Sequence, residues 1–329
     1  MPDRPPSRAV TRRAVLRWGV GGGALAAGLS LAGCGVRIDD GATVPFLTRQ
    51  RMADEDIVLA AYRHEVVLVR LTGAATDPDP ATVALVRSAA PRHTEHAAAV
   101  RAILVAGGVP DHLIDPPTST GSATGSQTGS TTPPPPVPAT VAAIRDAALE
   151  AAGPAATSAV DRATTDHALV LASVAAHAAV LAASLGGPPP SSPALPASAA
   201  AALLPPTRAA AYAVEVAAAR IPAADRTRAL ATVAWLRARE RDWVTAAGPL
   251  APLPDLGFRL PGPVASPAEA TASIGAALAG LVAVGLSPLA TSDRPAGMAG
   301  AVVSAHVETI RHAMTWGVPL SAFPGLARP

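Results

Sequence analysis

The sequence predicts an all-α fold. Apolar residues recur at helical spacing through most of residues 54–316, Gly and Pro clusters punctuate them, and no run alternates with the period of a strand. Asp54 is placed to cap a first helix reaching about Thr72, and Glu55 and Asp56 suit its N-terminal dipole. Asp79-Pro80 starts a second helix, since proline is tolerated in a first turn. This helix runs to Ala106, with a kink expected at Pro91 and a stop at Gly107-Gly108. Helices follow at 139–152 and 155–185, and then near 207–221, 223–247, 267–286 and 296–316, with a Pro-rich loop at 249–266. Short loops between several of them favour antiparallel bundles.

Two stretches divide the chain. Residues 115–138 carry Pro-Pro, a Thr/Ser/Gly run and Pro133 to Pro136, and hold too little apolar surface to order, so a linker is expected there. Residues 188–202 form a second, Pro-rich linker. The organisation expected is a helical module over 53–187 and another over 203–329, preceded by a tether over 34–52.

Composition excludes some partners. All 26 basic residues are Arg, and the chain holds neither Lys nor Asn, the mark of a GC-rich genome. Without residues 1–33, which carry five Arg and one Asp, 21 basic residues face 23 acidic ones, a net charge of −2. With no basic stripe and few aromatics, no nucleic-acid partner is expected. Cys34 is the only cysteine, so no intramolecular disulfide is available.

The N-terminus is the most specific stretch. Thr11-Arg12-Arg13-Ala14-Val15-Leu16-Arg17 resembles the twin-arginine export motif. A 15-residue apolar stretch, Trp18 to Ala32, follows; a spanning helix needs roughly 20 residues. It closes on Leu31-Ala32-Gly33-Cys34, which resembles a lipobox, with small residues before a thiol that takes the lipid. Residues 1–33 are thus expected to be a signal peptide. The partners implied are the Tat translocon and the lipoprotein-processing enzymes during export, and afterwards a membrane held through lipid on Cys34. The location implied is the outer face of the cytoplasmic membrane.

From about Leu203 the chain resembles the actinobacterial DUF4439 family, a ferritin-like four-helix domain. The resemblance rests on Trp316-Gly317-Val318-Pro319-Leu320-Ser321-Ala322-Phe323-Pro324-Gly325-Leu326, on Phe258-Arg259-Leu260-Pro261, and on Arg237-Ala238-Arg239-Glu240-Arg241-Asp242. It covers roughly two-fifths of the chain. Residues 51–187 resemble more loosely a ferritin-like lipoprotein module, through helix lengths and Arg92-His93-Thr94-Glu95-His96-Ala97. The resemblance implies two ferritin-like four-helix bundles joined by Pro-rich linkers. Iron-handling members of that fold set Glu and Glu-x-x-His on inward faces. The second half departs from this, with Thr207-Arg208 where Glu-His is common and no Glu-x-x-His near Glu269. No metal site is expected there; Glu308 and His312 read as a solvated pair, and Trp235, Trp243 and Trp316 as core anchors.

The first half holds the one constellation with chemistry in it. At about 100° per residue, Glu65 falls on the apolar side of its helix with Val58, Ala61, Tyr62 and Val69. A carboxylate there must be paired, hydrogen-bonded or metal-bound. His93 and His96 fall within the arc of Leu85, Ala89, Val100 and Ile103. His167 shares a face with Val170, Val174 and Leu181, with Asp166 and His177 to one side. Glu65, His93, His96 and His167 form a candidate site for iron or zinc, both of which accept imidazole and carboxylate. The competing reading is a polar core network in which Glu65 bonds to His93, His96 or Tyr62. No cofactor is required by the sequence and no catalytic residue is assigned. The leading expectation is a lipid-anchored envelope protein acting as a non-catalytic binding or scaffolding module for an envelope partner the sequence does not identify. The alternative is a metal-dependent oxidase or storage protein using the His/Glu cluster.

Overall fold

A computed structural model describes residues 49–76, 79–116, 138–188 and 193–326. Arg12, Arg13, Leu31, Ala32, Gly33 and Cys34 lie outside the described residues, as does most of the 115–138 linker. The chain divides into two units, Met1–Arg49 and Gln50–Pro329, and the second holds every helix described here.

The fold is all-α. Ten α-helices are described, and the only β pairing among the described residues is one isolated bridge, Ala75 to Ala139. Helix α1 spans Glu55–Gly73 and α2 spans Pro80–Ala106. Asp79 caps α2 as the sequence predicts, accepting from the Ala81 and Thr82 amides at 3.1 Å each. The helix runs unbroken through Pro91. The short α3, Asp111–Ile114, precedes the linker, and α4 follows it over Val141–Ala151, capped by Thr140.

The helix expected over 155–185 is two helices, α5 at Pro154–Arg162 and α6 at Thr165–Ser184. Groups distant in sequence hold the break at Ala163-Thr164. The Asp54 carboxylate accepts the Thr164 amide at 2.6 Å, and the Arg294 guanidinium donates to the Ala163 carbonyl. Asp54 therefore serves the start of α6 and makes no side-chain cap to its own helix.

Helix α7, Ala197–Ala218, begins inside the stretch expected to be a linker and continues through Pro205-Pro206. Ala199, Ala200, Leu203 and Leu204 are buried in its first turns, whereas Pro205 is exposed. Apolar burial thus outweighs the two backbone bonds the prolines remove, on a side where a freed carbonyl can meet water. Helices α8 (Ala223–Ala247), α9 (Pro267–Val284) and α10 (Met298–Thr315) complete the fold. A capping box between Ser266 and Glu269 starts α9, which accounts for that lone acid.

The two halves read from the sequence share a core within one compact unit. The largest apolar cluster draws Val160 from α5, Leu171 and Ala176 from α6, Leu203 from α7, Trp243 from α8 and Val302 and Val307 from α10. The start of α10 is capped across the halves, with Asp161 of α5 accepting from the Gly297 and Ala299 amides at 2.7 Å each. Helix α6 lies at the centre, buried at every position from Leu171 to Ala182. Its apolar length, enough to cross a membrane by composition, is accounted for by that burial.

Candidate metal centre

Three helices converge on one buried polar cluster. Helix α1 contributes Glu65, α2 contributes His93 and His96 one turn apart, and α6 contributes His177; all four are fully buried. One nitrogen from each imidazole lies within 4.8 Å of the other two. The rings meet edge to face, with centroids 5.5 Å apart for His93–His96, 5.1 Å for His93–His177 and 4.8 Å for His96–His177.

Glu65 organises the two α2 histidines. Its Oε2 lies 2.8 Å from His93 Nδ1 and 3.2 Å from His96 Nδ1. Burial pushes the Glu65 carboxyl up, but the hydrogen bonds to His93 and His96 outweigh it and leave the group below the ordinary carboxylate range. It is therefore a carboxylate at neutral pH. The Nε2 of His96 faces away and donates to the Ala322 carbonyl. Burial, followed by the neighbouring His96, His93 and Arg92, holds His177 well below the usual histidine range, so its ring is neutral and carries a lone pair.

Several polar atoms here have no hydrogen-bond partner among the described residues: Glu65 Oε1, His93 Nε2 and both ring nitrogens of His177. Leaving a buried polar atom unsatisfied costs roughly 1–3 kcal/mol. The donor set suits a borderline cation, because zinc and iron accept imidazole nitrogen and carboxylate oxygen. His93 has the arrangement expected of a ligand, with Nδ1 bonded to a carboxylate and Nε2 buried without a hydrogen bond. With metal–nitrogen bonds of about 2.0–2.1 Å, tetrahedral ligand atoms sit about 3.4 Å apart, so the rings draw in by about 1 Å to close on an ion.

Glu65, His93 and His96, anticipated from sequence, are brought together. His167 is not among them. It lies at the start of α6, 20 % exposed, with Nδ1 3.0 Å from the Asp54 carboxylate. Burial raises the Asp54 carboxyl, and its bonds with Thr164 and His167 outweigh this and lower it. The histidine that α6 contributes is His177, which helix phase set to one side. Phase misleads on a helix buried all round, where no face is distinguished. The signal that marks His177 is its neighbourhood: it is the one polar residue in Val174-Ala175-Ala176-His177-Ala178-Ala179-Val180. Tyr62, a possible partner for Glu65, instead donates to Asp115 Oδ1 at 2.6 Å. A cavity of about 290 Å³ between α1, α5 and α6 reaches Glu65; alanines, Leu171 and Val174 line it together with Asp56, His64 and Arg162.

Among the described residues, the second half holds no such cluster. Arg208 pairs with Glu240 at 3.1 Å, and Glu308 pairs with Arg239. His312 stacks on Trp235, with centroids 3.8 Å apart. Trp243 and Trp316 are buried, and Trp316 Nε1 donates to Thr232 at 3.0 Å. His306 is buried, and neither ring nitrogen makes a well-formed hydrogen bond among the described residues. Burial pushes it down to about 4; the adjacent Pro324 carbonyl opposes this in part and the charge of Arg239 adds to it.

Compared with family models, curated proteins and solved structures, this chain matches none. Its function is therefore argued from the site itself.

Proposed function

We propose that this is an exported, lipid-anchored cell-envelope protein that holds one transition-metal ion, iron or zinc, between His93, His96 and His177 with Glu65. The observation that carries the reading is the set of unpartnered ring nitrogens on His93 and His177, fully buried and gathered with His96. Coordination satisfies His93 Nε2 and the lone-pair nitrogen of His177 at once, whereas the hydrogen bonds to Glu65 leave them bare. Full burial of all four side chains suits holding an ion rather than turning over a substrate, so no catalytic residue is assigned.

The envelope location rests on the order Arg12-Arg13, apolar stretch, Leu31-Ala32-Gly33-Cys34. Lipid on Cys34 anchors the chain more durably when the cysteine carries two or more acyl chains. Kinship with ferritin-like DUF4439 domains is part of the same reading, supported by the all-helical fold and by the closing motif of residues 316–326. Export through the twin-arginine route suits a protein that folds around its ion first.

Elemental analysis of the purified protein tests the centre. Stoichiometric iron or zinc is expected, lost in His177→Ala and kept in His167→Ala. A metal-free protein that takes up neither ion would end the metal reading and leave the non-catalytic binding or scaffolding module. Mass spectrometry of Cys34 tests the anchor separately.

A further inference from the structure

We infer that residues 322–325 are a strap that positions His96 and closes that side of the metal centre, so that lifting the strap speeds exchange of the ion. The inference rests on the metal-binding reading above. It assigns a role to the closing motif, which lies more than 220 residues along the chain from His96.

Four contacts seat the strap. The Ala322 carbonyl can only accept, so the His96 Nε2 that meets it carries a hydrogen; Nδ1, beside Glu65, is the nitrogen left for an ion, which it takes in place of its hydrogen bond to Glu65. A ligating histidine is oriented by just such a bond on its outer nitrogen. Next, the Phe323 ring packs edge-on against His96, with centroids 4.9 Å apart. Ser173 Oγ then donates to the Pro324 carbonyl at 2.8 Å, and both groups are buried. Ser173 lies one turn before His177 on α6, so the helix that supplies a ligand also holds the strap.

The fourth contact is steric. Gly325 has φ +86°, a backbone conformation that side chains rarely adopt. A Cβ there would stand 2.8 Å from Leu286 Cγ and 3.0 Å from His306 Nε2. The strap is thus wedged between α6 on one side and the Leu286–His306 wall on the other. His96, whose outer edge it covers, is fully buried.

Release of zinc from the loaded protein into excess chelator tests the strap. Ser173→Ala removes one hydroxyl and Gly325→Ala unseats the backbone; each is expected to speed release by roughly tenfold, the order that loss of a buried hydrogen bond commands. Because the His96 ring is freed, the visible absorption of the cobalt-substituted protein is expected to shift in both variants. Ile274→Val, in the separate apolar cluster of the second half, serves as the control for general destabilisation and is expected to change neither readout. Should Gly325→Ala not fold, Ser173→Ala decides the matter alone. Release and spectra equal to those of the unaltered protein, or equally changed by Ile274→Val, overturn the strap while leaving the centre intact. An unaltered protein that takes up no zinc or cobalt overturns the centre, and the strap with it.

Discussion

Acid is expected to destabilise the fold through His306. The ring is 1 % exposed, has no well-formed hydrogen bond among the described residues, lies beside the Pro324 carbonyl, and faces Gly285 so closely that a Cβ there would lie 2.2 Å from Nδ1. In the unfolded chain this imidazole takes up its proton near pH 6.5; in the fold, burial delays that to about 4. Between those values the unfolded state binds more protons, so stability falls as pH falls. The contribution is complete above pH 6.5 and lost by about pH 4. At 1.36 kcal/mol per pH unit, the loss over that window is about 3 kcal/mol. Glu65, Asp54 and His177 also have lowered pKa values and also weaken the fold in acid. The contribution of His306 must therefore be read as a difference. Urea melts of the unaltered protein and His306→Leu, compared from pH 7 to pH 4, isolate it. The stability gap between the two should move by about 3 kcal/mol in favour of the leucine variant as the pH drops. A gap that moves by less than about 1 kcal/mol would refute the reasoning, because the buried ring would then be protonating as freely as in water.

Two further outcomes follow from the packing. Asp161→Ala removes the side-chain cap at the start of α10 and should cost about 0.5–2 kcal/mol in a urea melt, with hydrogen exchange quickening first at residues 297–301. Leu203→Ala opens a cavity in the cluster the two halves share and should cost about 2–5 kcal/mol. Tryptophan fluorescence, which reports α8 through Trp235 and Trp243 and the segment after α10 through Trp316, and hydrogen exchange in α1 and α2 should then register one loss together; unfolding of the second half alone would contradict a shared core.

The sequence made legible whatever depends on neighbours along the chain. The Asp79-Pro80 start of α2, the Ser266–Glu269 start of α9 and the burial of Glu65, His93 and His96 all follow from local spacing. The start of α7 was hidden because Pro-rich composition reads as linker, while the burial of Leu203 and Leu204 is decided by residues distant in sequence that share their apolar cluster. The break between α5 and α6 was hidden for a similar reason, since Asp54 and Arg294 make it from outside.

The choice between His167 and His177 shows the division most clearly. Sequence alone determined the all-α class, most helix positions and three of the four side chains in the cluster, because helical periodicity and capping act within a few residues. Tertiary structure decided which histidine of α6 completes the cluster, and that a segment near the end of the chain covers it. Both depend on what surrounds a helix on every side, and a helix enclosed all round carries no pattern along its length to announce its neighbours.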